Sequence, residues 1–152
     1  MRNLTLRPAR RGDVRAIVAM LADDALGGTR EDVSEPLPQA YCDAFAEMAR
    51  DPNNRLLIAE MDGAVVGTLQ MTFIRGLSRQ GMRRALIEAV RVAASHRGTG
   101  IGARIVRAAI DLARAEGCGM VQLTTDKSRK DAHRFYERLG FTASHEGMKL
   151  ML

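Results

Sequence analysis

The chain has 152 residues, 46% of them hydrophobic, which suits one core of ordinary domain size. With no Trp, four Phe and two Tyr, that core must be filled by aliphatic side chains and nine Met, a composition that speaks of flexible packing and not of chemistry. The net charge of +5 admits a nucleic acid or an anionic ligand, but residues 21–52 hold eight acids against two bases, so the surface is poorly made for wrapping a nucleic acid evenly.

Residues 3–7, "NLTLR", alternate as a short strand. Gly12-Asp13 reads as a stop and an N-cap, followed by Val14, Ile17, Val18 and Leu21 at helical spacing. Residues 27–38, with Gly-Gly and two prolines, read as a loop, and Tyr41, Phe45 and Met48 mark a second helix ended by "DPNN". Two β-like runs meet at Asp62-Gly63, a strong hairpin signal. "RGLSRQGMRR" is a basic connection. Residues 84–95 form a third run in which a regular strand would set Leu86, Glu88, Val90 and Val92 on one face. Ile101, Ile105, Ala108, Ala109 and Leu112 stripe a helix stopped by Gly117 and Gly119. "MVQLTT" is a strand, "DAHRFYERL" a short helix stopped by Gly140, and "GMKLML" a final strand. The order β α α β β β α β α β is mixed α/β, with residues 1–152 read as one domain.

Cys42 and Cys118 belong to no C-x-x-C pair and read as free thiols of a reducing compartment. "MRNLTLRPARRGD" has no apolar core of a signal peptide, and no apolar run nears the roughly 18 residues of a membrane span, so a cytoplasmic chain without membrane contact is expected.

Between the third β-run and the clearest helix stands "RGTGIG". Glycines let backbone N–H groups approach a ligand closely, and the first N–H groups of a helix have no intrahelical acceptor and lie at the positive end of its dipole. With Arg97 at the rim, the segment reads as a phosphate or pyrophosphate cradle. It is neither the dinucleotide G-x-G-x-x-G nor the P-loop G-x-x-x-x-G-K-[ST]. A Gly-rich turn without a ligand is the plain alternative.

"LIEAVRVAASHRGTGIG" fits V-x-x-x-x-[RQ]-x-x-G-x-[GA] with Val92, Arg97, Gly100 and Gly102, and "DAHRFYERLGF" fits A-x-x-F-Y-x-x-x-G-F with Ala132, Phe135, Tyr136, Gly140 and Phe141. In these motifs, their separation and the element order over essentially the whole chain, the sequence resembles the GNAT superfamily of acyl-CoA-dependent N-acyltransferases. Where many members have Asn three residues before the Ala, this chain has Arg129.

The resemblance implies a central, mostly antiparallel twisted sheet of six or seven strands flanked by about four helices, with a splay between the fourth and fifth strands. It implies acetyl-CoA as donor and an amine of a small molecule or peptide as acceptor, with no nucleic acid or membrane partner, and it admits a homodimer. By comparison with the family, the pyrophosphate sits on the backbone of Arg97, Gly98, Thr99, Gly100, Ile101, Gly102 and Ala103. The pantetheine arm lies along Val90, Arg91 and Val92, where one N–H polarises the thioester carbonyl.

Tyr136 is the candidate acid for the CoA sulfur, since a phenol can donate a proton at neutral pH; packing like Phe135 is the alternative. Glu88 is the candidate base, with a sheet-edge ion pair to Arg83 or Arg84 as the alternative. His96, His133 and His145 are scattered and lack metal-ligand spacing, so no metal is expected. By family analogy the acidic segment lies over the acceptor site, where its carboxylates would hold a cationic amine or form a solvated face. A non-catalytic acyl-CoA-binding regulatory domain is the competing function.

Overall fold

The hairpin signal at Asp62-Gly63 sits at the centre of the architecture in a computed structural model that describes residues 3–152. Asp62 (φ 53°) and Gly63 (φ 79°) are both left-handed, as a two-residue hairpin turn matched to strand twist requires. They join β2 (Asn54–Met61) to β3 (Ala64–Arg75). The described chain forms two compact units, one ending at Gln122 and one comprising Leu123–Leu152.

The larger unit adds β1 (Leu4–Pro8), α1 (Val14–Ala22), α2 (Gln39–Arg50), the four-residue segment α3 (Ser78–Gly81), β4 (Arg83–Val92), α4 (Ile101–Ala115) and β5 (Met120–Gln122). The sheet order is β1-β2-β3-β4-β5, antiparallel throughout except for the parallel β4–β5 pair that α4 connects. Asp13 does not cap α1 with its side chain as expected. Its carboxylate turns back to Arg7 and the Arg10 N–H, and the Arg7 guanidinium holds it below the usual carboxylate range.

Residues opposite one another across a ladder project to the same face. One face carries Leu57, Leu69, Met71, Ile87, Phe73 and Ala85, all buried. Helix α4 covers it with Ile105, Val106, Ala109 and Ala113. Contact is closest at Gly67, where an added Cβ would stand 2.5 Å from Ile105 Cδ1 and 2.6 Å from the Arg91 carbonyl oxygen. The other face carries Leu56, Ile58, Thr68 and Gln70 beneath α1 and α2. Helix α4 ends as its glycines predict: Gly117 (φ 75°) donates to Arg114 O and Cys118 to Ala113 O, a paired Schellman closure.

In the second unit, α5 (Lys130–Arg138) closes the same way, with Gly140 (φ 96°) donating to Glu137 O and Phe141 to Tyr136 O. The Phe141 ring then packs edge-on against Tyr136 at 5.7 Å, and Phe135 meets Tyr136 at 5.0 Å. The motif residues Phe135, Tyr136, Gly140 and Phe141 are thus one helix end and its aromatic cluster.

The expected strand count needs correction. Among the described residues the sheet has five strands and not six or seven. Strand β5 stops at Gln122, and "GMKLML" forms no strand; Met148, Leu150 and Leu152 are 86–116% exposed. Their alternation is a propensity for strand, and a strand exists only where a ladder pairs it.

Candidate donor cradle and acceptor cavity

Strand β4 is not regular. Thr68 pairs with Arg91 and Gln70 with Glu88, so one residue of β3, Leu69, faces two of β4. Ala89 takes φ 52° at this bulge. An extra residue reverses the inside–outside alternation beyond it. Glu88 therefore shares a face with Arg91, while Val92, opposite Gly67, points to the α4 face with Ile87. The expected common face of Leu86, Glu88, Val90 and Val92 does not form, because periodicity carries no sign of a bulge.

The parallel ladder to β5 joins only Arg84, Ala85 and Leu86 to Met120, Val121 and Gln122. Strand β4 runs on to Val92 while β5 ends at Gln122, so from residue 87 the outer edge of β4 is outside the ladder. The edge leads through a short 3₁₀ turn, Ala94–His96, to the glycine loop. Gly98 (φ 74°) and Gly100 (φ 81°) are left-handed, and a Cβ at either would meet nothing within 4 Å. Glycine is needed there for conformation, and the space above it is open. Thr99 Oγ1 donates to the His96 carbonyl and steadies the loop. Gly100 caps α4 with no side-chain acceptor, which leaves the helix's first N–H groups to a ligand.

Arg97 and Arg91 are both tied to the segment after α1. Arg97 donates to Asp23 Oδ2 (2.8 Å), the Asp23 carbonyl (3.1 Å) and the Val92 carbonyl (3.2 Å). Arg91 pairs with Asp24 (3.2 Å), whose other oxygen accepts the Gly27 N–H. The sequence reading missed this strap: two adjacent acids holding two arginines, one on each side of the strand-to-loop junction.

A cavity of about 100 Å³ lies between α1, α2 and the sheet. Val14, Ile17, Val18 and Leu21 of α1 wall one side, and the expected stripe Tyr41, Phe45 and Met48 of α2 walls the other. Leu56, Thr68, Gln70 and Ala89 form the floor. Glu88 is exposed at the rim: its cross-strand partner Gln70 and its neighbour Ala89 both line the cavity.

None of the eight acids of residues 21–52 lines the cavity. Seven engage the chain itself: Asp23 and Asp24 as above, Glu35 with Arg15, Glu31 with Tyr41, Asp43 with Gln39, and Asp32 and Asp51 with nearby backbone N–H groups. Cys42 and Cys118 are free and half-buried. Among the described residues no three His, Cys, Asp or Glu gather as a metal-binding group, and no helix is long and apolar enough to cross a membrane.

Residues 18–141 match the family model described as Acetyltransferase (GNAT) family. The chain belongs to the GNAT acetyltransferase family. Members of this family are acyl-CoA-dependent acetyltransferases, with acetyl-CoA as donor. The open glycine loop, the uncapped start of α4 and the ladder-free edge of β4 fit such a donor. This GNAT chain is 36% identical over 107 residues to the aminoalkylphosphonate N-acetyltransferase of Salmonella typhimurium, covering 70% of this chain and 69% of that one. It is 36% identical over 90 residues to the glucosamine 6-phosphate N-acetyltransferase of Trypanosoma brucei brucei, 59% of each chain. A crystal structure described as a transcriptional regulator from Bacillus halodurans C-125 superposes with TM-score 0.94 at 50% identity, over 99% of this chain and 100% of that one.

Proposed function

We propose that this chain transfers the acetyl group of acetyl-CoA directly to a primary amine of a small molecule. The bulge at Ala89 carries the reading. It turns one strand to two uses, a backbone edge that runs to the glycine loop and a carboxylate, Glu88, at the rim of a cavity. The two named N-acetyltransferase relatives act, by their names, on small amines, which supports the acceptor class.

On this reading the backbone N–H groups of residues 98–103 hold the pyrophosphate at the positive end of α4. Arg97 anchors that loop through Asp23 and adds positive charge at its rim. The edge formed by Val90, Arg91 and Val92 receives the pantetheine amide as an added strand would, and one N–H there stabilises the carbonyl oxygen as it becomes negative. Glu88 accepts the proton released by the amine as the N–C bond forms. Tyr136, assigned by its motif, returns a proton to the sulfur as the C–S bond breaks.

The similarity to a chain described as a transcriptional regulator supports a second reading, an acyl-CoA-binding domain without turnover. Calorimetric titration with acetyl-CoA, followed by thiol release with added amines, separates the two. Wild type is expected to bind saturably and release CoA in an amine-dependent manner. Gly100→Glu, which sets a side chain and a negative charge in the cradle at φ 81°, is expected to weaken donor binding by about 100-fold or more. Binding without amine-dependent release supports the second reading, and no binding at millimolar donor overturns both.

A further inference from the structure

The acidic segment suggests a cationic acceptor; the cavity does not. Most of its polar side-chain atoms are engaged elsewhere. Thr68 Oγ1 donates to the Leu57 carbonyl, Gln70 Nε2 to Asn54, and the Tyr41 hydroxyl bridges Glu31 and the Asp32 N–H. What remains facing the space is the aliphatic and aromatic surface of Ile17, Val18, Leu21, Phe45 and Met48. Ala44 and Ala89, exposed members of the lining, mark the mouth, and Glu88 stands beside Ala89.

Resting on the transfer reading above, we propose that this cavity is the subsite for the acceptor's side chain and that the acceptor is an amine bearing a short apolar group. An apolar cavity of about 150 Å³ takes benzene, so about 100 Å³ takes roughly four carbons. An amine whose alkyl group enters between Ala44 and Ala89 leaves its nitrogen at the mouth, on the face of β4 that carries Glu88. A phosphonate, sugar or second ammonium group entering this space would lose its hydration against walls that are mostly apolar.

The test is acetyl-CoA-dependent thiol release with a graded set of amines, methylamine through hexylamine, and with the isosteric pair butylamine and 3-aminopropanol. The expected kcat/KM rises about fourfold per methylene to butylamine and then flattens. Butylamine is expected to exceed 3-aminopropanol by about 10–100-fold. Ala44→Leu, at an exposed position of α2, narrows the mouth and is expected to reduce both gradients to less than about threefold, with donor affinity measured in parallel as the control for folding.

Equal efficiency along the series, or a preference for the hydroxyl or a phosphonate-bearing amine, overturns the subsite while leaving acetyl transfer standing. Donor binding without release by any amine overturns the transfer reading and the subsite with it. Wild-type gradients that persist in Ala44→Leu place the apolar site elsewhere.

Discussion

The glycine loop and the cavity beneath α1 and α2 are made by opposite means. The loop is backbone: two left-handed glycines and the start of a helix, with no side chain over them. The cavity is side chain: two helices set aliphatic and aromatic groups over one face of the sheet. A site that reads phosphate with peptide N–H groups is insensitive to most surrounding residues. A cavity walled by side chains changes its ligand with every substitution. The family's shared donor and divergent acceptors follow from that difference, and the Ala89 bulge is the place where the two constructions meet.

The largest effect that sharpens this contrast is expected at Glu88. Glu88→Gln should lower kcat by about 10²–10⁴-fold with donor affinity unchanged, the reverse of Gly100→Glu, when turnover and calorimetry are measured side by side. Tyr136→Phe should fall at or below the lower end of that range, because a thiolate leaves more readily than an alkoxide. Loss of donor binding in Glu88→Gln would break the separation of the two sites.

Gly67 packs beneath α4, the helix that the glycine loop opens. It faces Val92 across the ladder and Ile105 of α4, so Gly67→Ala forces backbone and helix apart and should cost about 1–3 kcal/mol in denaturant titration. Unaltered stability would mean that α4 is free to shift, and the cradle with it.

The strap separates more gently. Asp24 and Arg91 are mostly buried, with side chains 23% and 17% exposed, whereas Asp23 and Arg97 are about half exposed. Asp24→Ala leaves the Arg91 charge and the Gly27 N–H without that carboxylate and should cost about 1–3 kcal/mol. Asp23→Ala should cost at most about 1 kcal/mol. It leaves Arg97 held by the Asp23 and Val92 carbonyls but removes the negative charge beside it, so acetyl-CoA binding should tighten modestly at low salt and lose that gain as ionic strength rises.

The smallest effect is at Cys118, beyond the far end of α4. Burial pushes its thiol up, with Arg83 partly offsetting. The thiolate therefore forms at higher pH than in an ordinary thiol, and iodoacetamide should alkylate it more slowly than a free cysteine near pH 8, in a Cys42→Ser background. Saturating acetyl-CoA should leave that rate unchanged, since the cradle needs no movement of the helix end.

Much was legible in the chain itself. The hairpin at Asp62-Gly63, the glycine stops at Gly117 and Gly140, the α4 stripe and the glycine-rich turn "RGTGIG" that opens α4 are local: each follows from φ/ψ preference or from spacing within one element. The loop was readable for that reason, being made of consecutive residues. The bulge at Ala89, the strap of Asp23 and Asp24, the missing C-terminal strand and the apolar cavity were not. Alanine carries no signal for a left-handed bulge. The acids and arginines of the strap lie more than sixty positions apart. "GMKLML" has a strand's alternation without a ladder to pair it. The cavity's walls come from α1, α2 and three strands, and the size of a void is the remainder after side chains from distant positions have packed, a quantity that only the tertiary structure decides.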